Sequence, residues 1–111
     1  FMDRAFCSKA SIFYNKPAAA IVSCRRGGAQ GAFEDMNRYF NFACMPVVSS
    51  NYWNEVHGNT PEEVVQDLEG MQTMRQLGRN MAWMLKCIEA GKAVGVEYPE
   101  QEAKIKTNFI R

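Results

Sequence analysis

The chain carries almost no net charge, no long apolar run, no closely spaced cysteines and a single histidine. Each shortage closes off a class of function. Thirteen basic residues stand against twelve acidic ones, for a formal charge of +1, so no bulk field draws in nucleic acid or an anionic membrane surface. The apolar run Ala18 to Val22 is far shorter than the roughly 20 residues needed to span a bilayer. Cys7, Cys24, Cys44 and Cys87 are scattered without C-x-x-C spacing, and only His57 could assist them. Zinc normally takes clustered ligand pairs, so no metal is expected, and free thiols in a reducing cytoplasm are the default. No Ser/Thr-rich phosphate loop occurs anywhere. The sequence also opens at Phe1 without an initiator methionine, and Phe1–Phe6 reads as the end of an amphipathic helix already under way.

Apolar residues make up 47% of the chain, the proportion of a globular domain rather than a disordered segment. Ala18–Ser23 reads as a strand buried on both faces, since it is apolar without alternation; Pro17, which lacks a backbone donor, is tolerated at its start. From Gln30 to about Phe42, Phe33, Met36 and Phe40 recur at helical spacing. Pro46 helps to end that helix, and Val47–Ser50 supplies a second strand. Strand, helix and strand in about 33 residues form a βαβ unit, which requires parallel strands.

Ligands of open α/β sheets bind beyond the carboxyl ends of the strands. At that position the first strand runs into Ser23-Cys24-Arg25-Arg26-Gly27-Gly28, two guanidinium groups and two glycines. This composition suits an anionic or electron-rich planar ligand; the plainer alternative is a strand-to-helix connection with a solvated arginine pair. Cys24 beside two arginines would favour a thiolate. The second strand opens into Asn51-Tyr52-Trp53-Asn54, which this reading places at the same edge. Tyr52 and Trp53 there either wall a planar ligand or cap the sheet or a subunit interface. His57, in a turn with Gly58 and Asn59, has no acidic partner in its own segment and reads as structural.

Thr60-Pro61-Glu62-Glu63 is a helix start with a capping threonine, a proline at the first helical position and a capping-box glutamate. Val64, Leu68, Met71, Met74, Gly78, Met81, Leu85 and Ile88 then step by three or four and define one stripe, with a break expected near Gly70 and termination at Gly91. Trp83 and Met84 fall off that stripe. They give the helix more apolar surface than one sheet face needs, which points to a second buried face in an oligomer, with Gly78 allowing close approach of another backbone. The tail from Val96 to Arg111 is either frayed or pinned on a neighbouring subunit.

KPAAAIVSCRRGG at Lys16–Gly28, MPVVSSNYWNEVHG at Met45–Gly58 and TPEEVVQDLEGMQTMRQLGRNMAWMLKCIEAGK at Thr60–Lys92 together resemble the C-terminal half of a flavodoxin-like NAD(P)H-dependent FMN reductase. The similarity extends from Phe1 to Arg111. It implies an α/β fold, the flavodoxin-like three-layer parallel sheet, of which residues 1–111 are the C-terminal βαβα portion. The first three strands and the FMN phosphate loop would lie in a part not included here. It also implies an FMN-dependent oxidoreductase that takes electrons from NAD(P)H and passes them to a quinone, a flavin, a nitro compound or a protein acceptor. The cofactor-binding residues would be Ser23, Cys24, Arg25, Arg26, Gly27, Gly28, Tyr52 and Trp53. The cofactor carries the hydride chemistry, so no catalytic side chain is expected. The assembly implied is a cytoplasmic homodimer or homotetramer. Two other readings stay open: a flavin-binding electron-transfer protein without reductase activity, and a non-catalytic oligomerisation module. Some members of the family carry an iron–sulfur cluster in the half absent here.

Overall fold

A first helix, α1 (Met2–Lys9), and a 3-10 turn (Ala10–Phe13) lead into a short strand, β1 (Val22–Cys24), in the computed structural model, which describes residues 1–110. Helix α2 (Ala29–Phe42), strand β2 (Glu55–His57), a one-turn helix α3 (Pro61–Val64) and the long helix α4 (Leu68–Ala93) follow. Arg111 lies outside the described residues. The architecture is mixed helix and strand around a two-stranded parallel sheet, in the register Val22↔Glu55, Ser23↔Val56 and Cys24↔His57. The parallel βαβ unit is present, as the sequence pattern requires.

The strands differ from their expected positions for a local reason. A first parallel bridge joins Ala18 to Val47, and regular pairing resumes only at Val22 and Glu55. Val22 lies four positions beyond Ala18, whereas Glu55 lies eight beyond Val47, so the second segment carries a four-residue excursion. Val47–Ser50 is therefore not the second strand; one bridge is all it contributes. Asn54 closes the gap. It is 3% exposed, its Nδ2 donates to the Ala20 carbonyl at 3.0 Å, and its Oδ1 accepts from Ser50 Oγ at 2.7 Å. A side-chain amide thus substitutes for a missing ladder bond, and the loop Ser50–Trp53 is held out of the sheet.

The main apolar cluster joins α1, α2 and the approach to β1. Phe6, Ala20, Phe40 and Ala43 are buried together, with Phe13, Phe33, Met36 and Met45 packed against them. Phe6 stacks on Phe13 with ring centroids 4.4 Å apart. Helix α2 ends where Cys44 takes a left-handed φ of 51°. The Met45 and Cys44 amides then donate to the Phe40 and Asn41 carbonyls, a Schellman closure. Pro46 follows this stop rather than causing it.

Helix α4 packs on β2. The break before it falls at Val65–Asp67, three residues ahead of the expected Gly70, because Asp67 is the N-cap and accepts from the Gly70 amide at 2.9 Å. This cap also sets the phase of the helix. Gly70, Thr73 and Leu77 are its buried residues, with Met81, Met84 and Ile88 half-buried below them, while Leu68, Gly78 and Leu85 of the expected stripe are exposed. The inward face is rotated by about one residue, and Met84 belongs to it. Trp83 is 65% exposed. At the other end, Gly95 with φ 83°, rather than Gly91, closes the helix: the Val96 and Gly95 amides reach back to Gly91 and Lys92. Residues 96–110 have no regular structure and are exposed. The molecule is a plate of 53 × 45 × 21 Å with a radius of gyration of 17.3 Å, against about 13 Å for a compact domain of this length.

Candidate functional site

The loop after β1 is positioned by the parallel register. Cys24 and His57 are opposite each other, and the Gly58 amide donates to the Cys24 carbonyl at 3.0 Å, so Arg25–Gly28 and Gly58–Thr60 leave the sheet side by side at its carboxyl edge. Gly28 then opens α2 with φ 88°, a left-handed conformation that suits glycine and penalises residues with a Cβ. No heavy atom lies within 4 Å of where a Cβ would stand at Gly27 or Gly28. The backbone of this loop is consequently open to approach from outside. Arg25 and Arg26 are exposed, and among the described residues no ion pair engages them. An open cavity of about 500 Å3 runs along this edge, lined by Ser23, Gly58, Asn59, Thr60, Pro61 and residues of the α3–α4 region.

Tyr52 and Trp53 do not join this edge. Asn54, immediately after Trp53, gives its carbonyl to the Val22 amide, which places the aromatic pair ahead of the first paired residue of β2. The His57 backbone and the Arg–Gly loop lie at the other end of that strand. The expectation that the two rings share an edge with Arg25–Gly28 fails because the excursion at Ser50–Trp53 shifts the strand four residues along the chain. The rings instead contact each other, with centroids 4.8 Å apart and planes inclined by 51°.

They border a second, smaller cleft of about 150 Å3 at the head of α4, shared with Glu55, His57, Asp67, Glu69, Gly70 and Thr73. Asp67 organises it. One carboxylate oxygen accepts from the Gly70 amide and the other from the His57 amide at 2.8 Å, with His57 Nδ1 3.5 Å away. These donors, the Gly70 amide foremost and then the His57 amide, hold the Asp67 carboxyl below its ordinary value of 3.8. His57 thus has an acidic neighbour after all, supplied by another segment. The signal for Asp67 was present in the sequence, as an aspartate just ahead of an apolar-periodic helix with Gly70 three residues on. Asn54, Glu55 and Thr73 gave no comparable signal.

Among the described residues, no group of histidine, cysteine and carboxylate side chains is arranged to hold a metal ion. Nor, among those residues, is any helix long and apolar enough to cross a membrane. Comparison with protein-family models, with curated proteins and with solved structures returned no match.

Proposed function

We propose that this chain supplies the ring-side edge of a flavin site in an NAD(P)H-dependent, FMN-dependent oxidoreductase of flavodoxin-like three-layer architecture. The observation that carries this reading is the juxtaposition at the carboxyl edge of β1 and β2. Two arginines with no ion pair among the described residues and an open, left-handed Gly28 leave the sheet at the same edge as Gly58–Thr60, the segment that lines a broad cavity, where two parallel strands end. A loop with open space around Gly27 and Gly28 and guanidinium groups without carboxylate partners among the described residues fit an electron-rich ring system and anionic phosphates. Ser23 and Cys24 enter as the last residues of the strand. Tyr52 and Trp53 are not part of the proposed flavin contact. When bound, FMN would carry the hydride and electron transfer to a quinone, flavin, nitro compound or protein acceptor; the residues here bind and orient it.

The test is anaerobic addition of NADPH to the intact native protein reconstituted with FMN, followed by flavin absorbance. Bleaching within seconds, with Arg25→Ala/Arg26→Ala weakening flavin or NADPH use roughly tenfold to hundredfold, supports the reading. Bound flavin that does not bleach assigns the protein to electron transfer without reductase activity. Failure to take up FMN overturns the proposal and leaves the oligomerisation module. The exposed Trp83 and Leu85 on α4 support a homo-oligomer, and Trp83→Glu is expected to shift sedimentation toward monomer.

A further inference from the structure

Helix α4 carries an outward face opposite its buried Gly70, Thr73 and Leu77, and that face has a definite charge order. Arg75, Gly78, Ala82, Leu85 and Glu89 follow one another at steps of three, four, three and four, and all are exposed. At helical spacing they form one stripe along the helix. Its two ends are oppositely charged. Arg75 enters no ion pair among the described residues, and Glu89 meets only Lys92 of its own helix, at 3.2 Å with side chains 74% and 52% exposed. Its middle is small and apolar: Leu85 is 48% exposed, and no heavy atom lies within 4 Å of a Cβ placed on Gly78. Glycine weakens a helix interior, and within this chain nothing uses the space that Gly78 leaves.

Read in reverse, the stripe complements itself. Arg75 and Glu89 stand seven positions to either side of Ala82, and Gly78 and Leu85 stand four before and three after it. We propose that α4 docks through this stripe on α4 of a second copy of the chain, antiparallel, with Ala82 at the two-fold axis. A two-fold contact sets each residue against its counterpart twice, so Arg75 of either copy meets Glu89 of the other at both ends, and Leu85 covers Gly78. A parallel pair would instead set Arg75 on Arg75 and Glu89 on Glu89. The antiparallel register has one unfavourable element: on one flank Arg79 comes near Lys86 of the other copy. That element makes the register recognisable, because reversing Lys86 should strengthen the contact. The proposal rests on the homo-oligomer reading given above, whose contact it specifies, and it is independent of the flavin reading.

The experiment is sedimentation equilibrium of the intact native protein, with circular dichroism to confirm that each variant keeps its helix. Arg75→Glu and Glu89→Arg should each weaken self-association roughly tenfold or more, since each turns two attractive pairs into two repulsive ones. The double variant should return to within about threefold of wild type, because the two charges are coupled only if they meet. Lys86→Glu should tighten association by pairing with Arg79 of the other copy. A wild-type monomer at tens of micromolar overturns both this proposal and the homo-oligomer reading. An oligomer that Trp83→Glu dissociates, but that is indifferent to Arg75→Glu and Glu89→Arg, keeps the homo-oligomer and overturns this contact. The contact is also overturned if the double variant fails to recover, or if Lys86→Glu leaves association unchanged or weaker. Flavin uptake and bleaching bear on none of these outcomes.

Discussion

The part of the molecule built on β1 and the part built on β2 are held by different forces. Around β1, helices α1 and α2 meet over an aromatic and alanine cluster in which Phe6 is 5% exposed and Ala43 fully buried. Around β2, the buried apolar side chains are few (Val48, Val56 and Leu77). There the helix is clasped by hydrogen bonds: Asp67 to the His57 and Gly70 amides, and Asn80 Nδ2 to the Ser49 carbonyl at 2.7 Å. Burial is non-directional and scales with area, so the first region should lose most when volume is removed. Hydrogen bonds fix phase and register, so the second should respond chiefly to loss of a partner or of the space between backbones.

The sharpest break in this contrast is Phe6→Ala, which removes a ring stacked on Phe13 and in contact with Tyr39 and Phe40. We expect a loss of about 3–5 kcal/mol, read from the chemical denaturation midpoint; a loss below about 1 kcal/mol would mean that this cluster does not hold the fold. Next is Gly58→Ala, beside the clasp. A Cβ there would meet the Val64 backbone nitrogen at 2.6 Å and its Cα at 2.9 Å, so α3 must shift away from the end of β2. Roughly 1–3 kcal/mol should be lost, whereas unchanged thermal unfolding would show that α3 moves freely.

Asp67→Ala tests the clasp directly, with about 1–2 kcal/mol expected from loss of the cap. Its pH dependence sharpens the assignment. The folded-state carboxyl is depressed below 3.8, so its contribution is complete above that value and is lost as the pH falls through the lower folded value. The stability gap between wild type and variant should therefore be flat from pH 7 to about pH 5 and close in stronger acid. A gap that persists unchanged at low pH would assign the effect to packing.

The smallest effects concern the helix ends and the outer face. Cys44 occupies a left-handed position that glycine fills without strain, so Cys44→Gly is expected to stabilise by about 1 kcal/mol. Gly78 is exposed within α4 and no atom approaches its Cβ position, so Gly78→Ala should stabilise the monomer by roughly 0.5–1 kcal/mol. A destabilising result at Gly78 in the assembled protein would indicate that another backbone does pack there.

Near-neighbour signals in the sequence were legible. Helix α2 and Thr60 as the cap of α3 could be read from spacing and capping chemistry, because each depends on residues within a few positions of one another; that two parallel segments flank α2 was legible too, but not which residues of the second one pair. The face of α4 could not. Several rotations of a helix rich in methionine and leucine are equally apolar, and choosing Gly70, Thr73 and Leu77 over Leu68, Gly78 and Leu85 required Asp67 to bind the amide of His57, ten residues away. The candidate site divided on the same principle. Arg25–Gly28 stayed at the strand end where local pattern put it, while Tyr52 and Trp53 were displaced by an excursion that only Asn54 reveals.

The amino-acid sequence by itself determined the class of structure and the chemistry of the β1 loop. A nonalternating apolar run, a helix and a second extended segment leave few ways to bury their backbones except as a parallel unit, and glycine and arginine fix what its edge presents. Tertiary structure alone decided the register of β2, the phase of α4 and the pairing of His57 with Asp67. Those features depend on hydrogen bonds between residues far apart in the chain, such as Asn54 with Ala20, whose formation no local propensity encodes.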